Sequence, residues 1–244
     1  MTDLFSRTGL SIRAAAAAQV FVGDLSHPIL TSDDDHHLTR VLRLRAGEIV
    51  IAADGAGSWR RCAYSSLGEA LTLLDDEIHH EAVTAPIAVA FAPVKGDRPE
   101  WAFSKLVELG VDTICLLMTD RSIVKWGDER AEKHRLRLDK LAIAASGQCR
   151  RVTLPKLIGP MTLHEAAQAL PGLVLADIGG APALPGLNMV AIGPEGGWSD
   201  AERSLGLPTV GLGGTVLRAE TAAVAAGSLL GALRSGDLIP GPSS

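Results

Sequence analysis

The segment Ile192-Gly193-Pro194-Glu195-Gly196-Gly197-Trp198-Ser199-Asp200-Ala201-Glu202 carries a short apolar run, residues 188–192, into a helix-like segment. Downstream, Leu212-Gly213-Gly214-Thr215-Val216-Leu217-Arg218-Ala219-Glu220-Thr221 does the same for the run 208–212. The pair reads as two strand–loop–helix turns side by side, the unit of an α/β fold with a parallel sheet. Glycines there let the backbone come close to a ligand, and a helix start leaves free N–H groups pointing into the same space. Ser199 and Glu202 fit the S-x-x-E capping box that marks such a start. The expectation is a binding site built as a backbone cage. Plain tight turns are the simpler alternative; two charged glycine loops within one short span argue against it.

Two familiar glycine-loop sites are excluded by spacing. No Lys follows either loop, as a G-x-x-x-x-G-K-[ST] phosphate loop requires, and after Gly211 and Gly213 the sixth place of a G-x-G-x-x-G fingerprint is Val216.

Working outward, residues 87–236 alternate strand-like and helix-like runs, with strands expected at 87–94, 113–119, 152–158 and 173–177 and helices at 100–109, 128–146 and 163–170. Thr162 and Glu165 form a second capping-box pattern. The last helix, 220–234, is rich in Ala and Gly, so that another backbone can approach it closely; it packs either in the core or against a second subunit. Residues 1–76 read as a small β-rich domain with strands at 19–22, 48–53, 59–65 and 70–74 and a helix at 34–43 whose Leu38, Val41 and Leu42 share a face. The stretch 14–18 is low in complexity and fits either a helical piece or a connection. Residues 77–86 read as a linker, and the Gly/Pro/Ser-rich residues 237–244 as a disordered tail.

With 244 residues, 47% of them apolar, the chain is long enough for a stable core in one or two domains. No run approaches the ~18 apolar residues of a membrane helix, and residues 1–11 lack a secretory pattern, so a soluble cytoplasmic protein is expected, with no membrane partner. Cys62, Cys115 and Cys149 are far apart, which argues for reduced thiols and against a zinc site; His36-His37 and His79-His80 lack partners at ligand spacing, so no metal is expected. The formal net charge of −5 opposes nucleic-acid binding, yet Arg40, Arg43, Arg45, Arg60 and Arg61 lie between His36 and Tyr64 against only Glu48 and Asp54. That cluster is either a phosphate-binding patch or a solvated face. Gln148, Arg150 and Arg151 crowd the end of the 128–146 helix, where they can grip a phosphate or base, or complement the helix dipole.

The two glycine loops, together with His36-His37-Leu38, Val41-Leu42-Arg43, Lys105-Leu106-Val107-Glu108-Leu109-Gly110-Val111 and Ala145-Ser146-Gly147-Gln148-Cys149-Arg150-Arg151, resemble the RsmE family. These are SPOUT-class methyltransferases acting on N3 of a uridine in 16S ribosomal RNA. Gly147 stands where the family usually has an acidic residue. The resemblance implies a C-terminal α/β domain of the SPOUT trefoil-knot type, an N-terminal PUA-like β-barrel that helps hold RNA, S-adenosylmethionine as cofactor, ribosomal RNA or the small ribosomal subunit as partner, and a homodimer. Its implied cofactor contacts fall on Leu175, Ala176, Gly193, Pro194, Glu195, Gly196, Gly197, Leu212, Gly213, Gly214, Val216, Leu217, Arg218 and Ala219. Implied RNA contacts are Arg40, Arg43, Arg60, Arg61, Gln148, Arg150 and Arg151. For chemistry at the uracil N3, Glu195 and Glu220 are candidates for a base or water-orienting group, and Arg218 for an anion stabiliser; either Glu can instead be a carboxylate serving a helix start. Three other functions stay open: a ribose 2′-O-methyltransferase of the same superfamily, a non-catalytic RNA-binding protein, and a nucleotide-dependent enzyme.

Overall fold

The computed structural model describes residues 3–66, 70–93, 98–122, 128–183 and 185–238. The chain divides into two compact units, Met1–Val83 with Ile143–Leu154, and Thr84–Ala142 with Pro155–Ser244. The division differs from the expected one: residues 77–86 are no plain linker, because they hold a strand of the first unit, and the segment Ile143–Leu154 returns to that unit from the middle of a long helix. Of the expected tail, residues 239–244 lie outside the described residues.

The first unit opens with a helix that the sequence pattern did not signal, α1 (Asp3–Ala14), followed by β1 (Ala18–Phe21). Thr31 caps α2 (Ser32–His36), with Asp33, Asp34 and Asp35 in its first turn, where the helix dipole favours negative charge. The chain then widens into a π-helical turn, His37–Val41, in which the Leu42 N–H donates to His37 O at 3.0 Å. The wider turn breaks the expected apolar face: Leu38 is buried, whereas Val41 and Leu42 are exposed. β2 (Ile49–Ala53) and β3 (Ser58–Ala63) form a hairpin whose turn is held by Asp54 Oδ1, which accepts from Ala56 N at 2.7 Å and Ser58 N at 2.9 Å. β4 (Thr72–Leu73) and β5 (His79–His80) both pair with β3, and β1 lies parallel to β2.

Alternation along β2 sends Val50 and Ala52 to one core, with Leu30, Leu38 and Tyr64, and Ile51 and Ala53 to another, with Trp59 and Val152. Val152 belongs to the returning segment, which is stitched to the sheet by backbone bonds from Leu154 N to Gly55 O (2.8 Å) and from Gly57 N to Val152 O (3.3 Å). His79 stacks on Trp59, ring centroids 4.3 Å apart, and the Arg13 guanidinium lies over the same indole, 5.1 Å from its centroid.

The second unit is a parallel sheet in the order β11-β9-β10-β6-β7-β8, formed by β6 (Ala88–Phe91), β7 (Thr113–Met118), β8 (Lys156–Thr162), β9 (Val174–Ala181), β10 (Met189–Ile192) and β11 (Thr209–Val210). Val89, Ala90, Ile114, Cys115, Val190 and Ala191 are fully buried, as expected of a parallel sheet covered on both faces. α3 (Arg98–Glu108), α4 (Asp128–Cys149), α5 (Leu163–Ala169), α6 (Asp200–Arg203) and α7 (Ala219–Ser235) are its helices, with α4 running from this unit into the segment returned to the first. Both capping boxes form: Thr162 and Glu165 start α5, and Ser199 and Glu202 start α6, a single turn. The small residues of α7 serve contacts within the chain. Ala222, Ala223, Ala226, Gly227 and Leu230 are buried, and a Cβ on Gly227 would stand 2.8 Å from Leu106 Cδ2 of α3. Among the described residues no helix is long and apolar enough to cross a membrane, and no cluster of His, Cys, Asp and Glu could hold a metal ion.

Candidate active site

The carboxyl ends of β9 and β10 and the loop after β11 surround a cavity of about 480 Å³ in the second unit. Gly193, Pro194, Glu195 and Gly197 of the first glycine loop line it. Leu212, Gly213, Gly214, Val216 and Leu217 of the second do too, with Ala176 from β9 and Ala219 from the start of α7. Strand ends of an open parallel sheet are where such folds bind ligands, because each strand there gives way to a loop and a helix start. Three positions expected on the wall are not on it. Leu175 points into the core and is 2% exposed. Gly196 faces Arg121, whose Nη1 donates to Gly196 O at 2.8 Å and whose Cβ would be 3.3 Å from an added Cβ. Arg218 sits just outside, as the N-cap residue of α7.

The expected cofactor contacts did not include Asp177, Ile178, Gly179, Ile192, Trp198, Thr215 and Ala222, which also line the cavity. Ile178 and Gly179 were missed because β9 runs on to Ala181, past its expected end at Asp177. Trp198, the one aromatic residue of the first loop, was the available signal: its Nε1 donates to Ala176 O at 3.0 Å, tying the glycine loop to β9.

A second tie comes from the loop after β7. Glu202, 7% exposed, accepts from Ser199 N through Oε2 at 2.8 Å and from Asp120 N through Oε1 at 3.1 Å, while Ser199 Oγ donates to the Asp120 carboxylate. Asp177 and Glu195 are the charged residues on the described wall, and no Lys or Arg joins them. Asp177 pairs with Arg203 through both carboxylate oxygens, and this pairing holds its pKa below the ordinary 3.8. Glu195 is exposed and has no hydrogen-bond partner among the described residues.

A family model described as RNA methyltransferase domain matches residues 81–231, and one described as RNA methyltransferase PUA domain matches residues 30–72. Ribosomal RNA small subunit methyltransferase E of Mycobacterium bovis is 31% identical over 231 residues, which span 85% of this chain and 87% of that protein. Its counterpart in Synechocystis sp. is 30% identical over 223 residues, spanning 84% and 72%. This chain belongs to the ribosomal RNA small subunit methyltransferase E family. A Legionella pneumophila protein described as a methyltransferase, solved with the cofactor S-adenosylmethionine (SAM) bound, is 27% identical with a TM-score of 0.75, over 88% of this chain and 96% of that one. The second unit has the SPOUT-type α/β fold of these methyltransferases.

Of the residues for which this methyltransferase family membership suggested chemistry, only Glu195 is on the cavity wall. Glu220, in the first turn of α7, is 8% exposed and off the wall, because Ala219 and Ala222 are the residues that α7 turns toward the cavity.

The expected RNA contacts divide in the same way. Arg40 and Arg43 are exposed, and Arg43 has a left-handed backbone, φ 55°. Arg61 is 39% exposed and lies 3.8 Å from Asp75. Arg60 is not available to a phosphate. It is 4% exposed and donates to Leu25 O at 3.0 Å and to Asp75 O, so its guanidinium is committed to carbonyls within the first unit. Gln148 is exposed. Arg150 is largely committed, donating to Ala16 O (2.8 Å), Ala17 O (3.3 Å) and Gly147 O (3.4 Å), with its pKa lowered by burial. Arg151 is half-buried, and its carbonyl accepts from Gln19 Nε2 at 2.6 Å. Gly147 lies beside β1: an added Cβ would be 3.4 Å from Gln19 O, an ordinary contact.

Proposed function

We propose that this protein methylates N3 of a uridine in 16S ribosomal RNA with SAM as methyl donor. The observation that carries the reading is the character of the cavity: backbone and apolar walls at the strand ends, two carboxylates, and no basic side chain on the described wall. Such a wall suits a cationic nucleoside and disfavours a phosphate-bearing one, which argues against a nucleotide-dependent enzyme. The residues that would hold SAM are Ala176, Gly193, Pro194, Gly197, Leu212, Gly213, Gly214, Val216, Leu217 and Ala219. Bound there, SAM supplies an activated methyl on a sulfonium, so the work left to the protein is alignment and removal of one proton.

Glu195, exposed on the wall, is the residue suited to take the uracil N3 proton or to orient a water that does. Arg218, exposed between the lining residues Leu217 and Ala219, is suited to stabilise the charge that develops on the ring. Arg40, Arg43 and Gln148, which are exposed, and Arg61, which is half-buried beside Asp75, are suited to RNA. The substrate is ribosomal RNA, within the small subunit, in the cytoplasm. The proposed assembly is a homodimer: Ile178 and Val216, each 81% exposed at the cavity, form an apolar rim that a second copy would cover.

Nuclease digestion and mass spectrometry of methylated RNA test the reading. N3-methyluridine is expected, with turnover rising with pH until the base is ionised and Glu195→Gln lowering turnover more than cofactor affinity. A methyl group on ribose would overturn it in favour of the 2′-O activity.

A further inference from the structure

The two carboxylates of the cavity wall differ in a way that assigns them different work. Glu195 has no counter-ion among the described residues. Asp177 is paired with Arg203, and its acceptor sites can be counted. A carboxylate offers about four lone-pair sites, two per oxygen. Oδ1 takes the Ile178 N–H at 3.0 Å and Arg203 Nη2 at 3.3 Å, and is full. Oδ2 takes Arg203 Nη1 and has one site left. The side chain is 21% exposed, enough for that site to be reached from the cavity.

Resting on the reading of the cavity as a SAM site, we infer that Asp177 Oδ2 accepts a hydrogen bond from one ribose hydroxyl of the cofactor, with Arg203 as the positioning residue that aims it. The alternative donor on SAM is its ammonium group. A carboxylate already neutralised by a guanidinium attracts a cation weakly, because the two charges of the pair act on it with opposite sign at nearly the same distance. The pair still presents a lone pair in a fixed direction, which is what a neutral hydroxyl requires. Carboxylates near strand ends recognise ribose hydroxyls in other α/β folds for the same reason. The device also discriminates: an adenosyl ligand lacking the matching hydroxyl leaves that hydrogen bond unmade.

The test is calorimetric titration of the full chain with S-adenosylhomocysteine, its 2′-deoxy and 3′-deoxy forms, and 5′-methylthioadenosine, which keeps the ribose and lacks the amino-acid end. For the unaltered protein, one deoxy form is expected to bind roughly tenfold to a hundredfold more weakly than the parent. In Asp177→Ala that difference disappears, and 5′-methylthioadenosine is weakened by the same factor as S-adenosylhomocysteine. Arg203→Ala reduces the preference without abolishing it. A full hydroxyl preference persisting in Asp177→Ala overturns the inference; so does a loss confined to S-adenosylhomocysteine, which would assign Asp177 to the ammonium group. If Asp177→Ala fails to fold, Asp177→Asn, which keeps the volume, is compared in the same way. Absence of binding of all four ligands by the unaltered protein would instead refute the SAM reading itself.

Discussion

Glu202 of α6 and Asp120 of the loop after β7 are joined directly and through Ser199: the Glu202 carboxylate accepts the Asp120 N–H at 3.1 Å, and Ser199, whose N–H Glu202 accepts, donates to the Asp120 side chain. A capping box is ordinarily a local device with both partners in one turn. Here its Glu also reaches the loop after β7, so the first glycine loop is held from outside its own segment. Glu202→Ala is expected to cost about 1–3 kcal/mol of stability and to weaken cofactor binding, while Glu202→Gln retains part of both, because its carbonyl still accepts one bond. Thermal melts and titration calorimetry on the two variants check this; equal loss in both would remove the acceptor argument.

Gly180 of β9 passes so close to β11 that an added Cβ would lie 2.5 Å from Val210 C and 2.8 Å from Gly211 N. Backbone cannot yield as a side-chain tip can. Gly180→Ala is therefore expected to destabilise the protein by about 1–3 kcal/mol or more and to detach β11, with the second glycine loop, from β9. Amide hydrogen exchange should show protection lost at 209–210 before the central strands; unchanged protection there would contradict the expectation.

Arg40, Arg43, Arg60 and Arg61, the N-terminal arginines expected to touch RNA, should separate in RNA binding. Neutralising Arg40 or Arg43 is expected to lower the salt dependence of binding by about one unit of slope for each phosphate that is no longer neutralised, with the melting temperature unchanged. Arg60→Ala should lower the melting temperature, because it removes donors from buried carbonyls of Leu25 and Asp75. Arg61, half-screened by Asp75, should fall between.

Acid should weaken the Asp177–Arg203 pair in one direction only. Pairing holds the folded pKa of Asp177 below 3.8, so its contribution to stability is present above the ordinary carboxylate pKa and is lost as pH falls through the lowered folded value. The stability difference between the unaltered protein and Asp177→Ala is expected to be flat from about pH 5 upward and to shrink below about pH 4. Denaturation curves across that range measure it; a difference that grew on acidification would have the wrong sign.

Burial pushes the Cys115 thiol up to about 12 and the Cys62 thiol up to about 11, whereas Cys149 is only half-buried. A thiol reagent at pH 8 should label Cys149 readily in the native protein and the other two only as fast as the chain opens. Mass-spectrometric mapping of labelled sites distinguishes this from uniform reactivity.

The features legible in the sequence are those whose causes lie within a few residues of one another. Both capping boxes satisfy N–H groups three residues away, and both glycine loops follow apolar runs that pair as parallel strands, so the α/β unit and most of the cavity wall could be read from residues 188–219. The β-rich first unit was legible through alternation, as in Val50 and Ile51, which go to opposite cores. What local pattern could not contain is the identity of the neighbour across space. Arg60 reads as a free cation until β3 is placed beside the carbonyls of Leu25 and Asp75. Leu175 and Asp177 could not be sorted until β9 was paired, and Glu220 could not be excluded from the wall until α7 was set against α3. The segment Ile143–Leu154 looks like the end of one helix and the start of a strand; it belongs to the first unit only because Leu154 and Val152 find hydrogen-bond partners at Gly55 and Gly57, nearly a hundred residues earlier. Periodicity reports which side of an element is buried. The partner that buries it is chosen by packing and by the pairing of long-range polar groups, and that choice is made only in the folded chain.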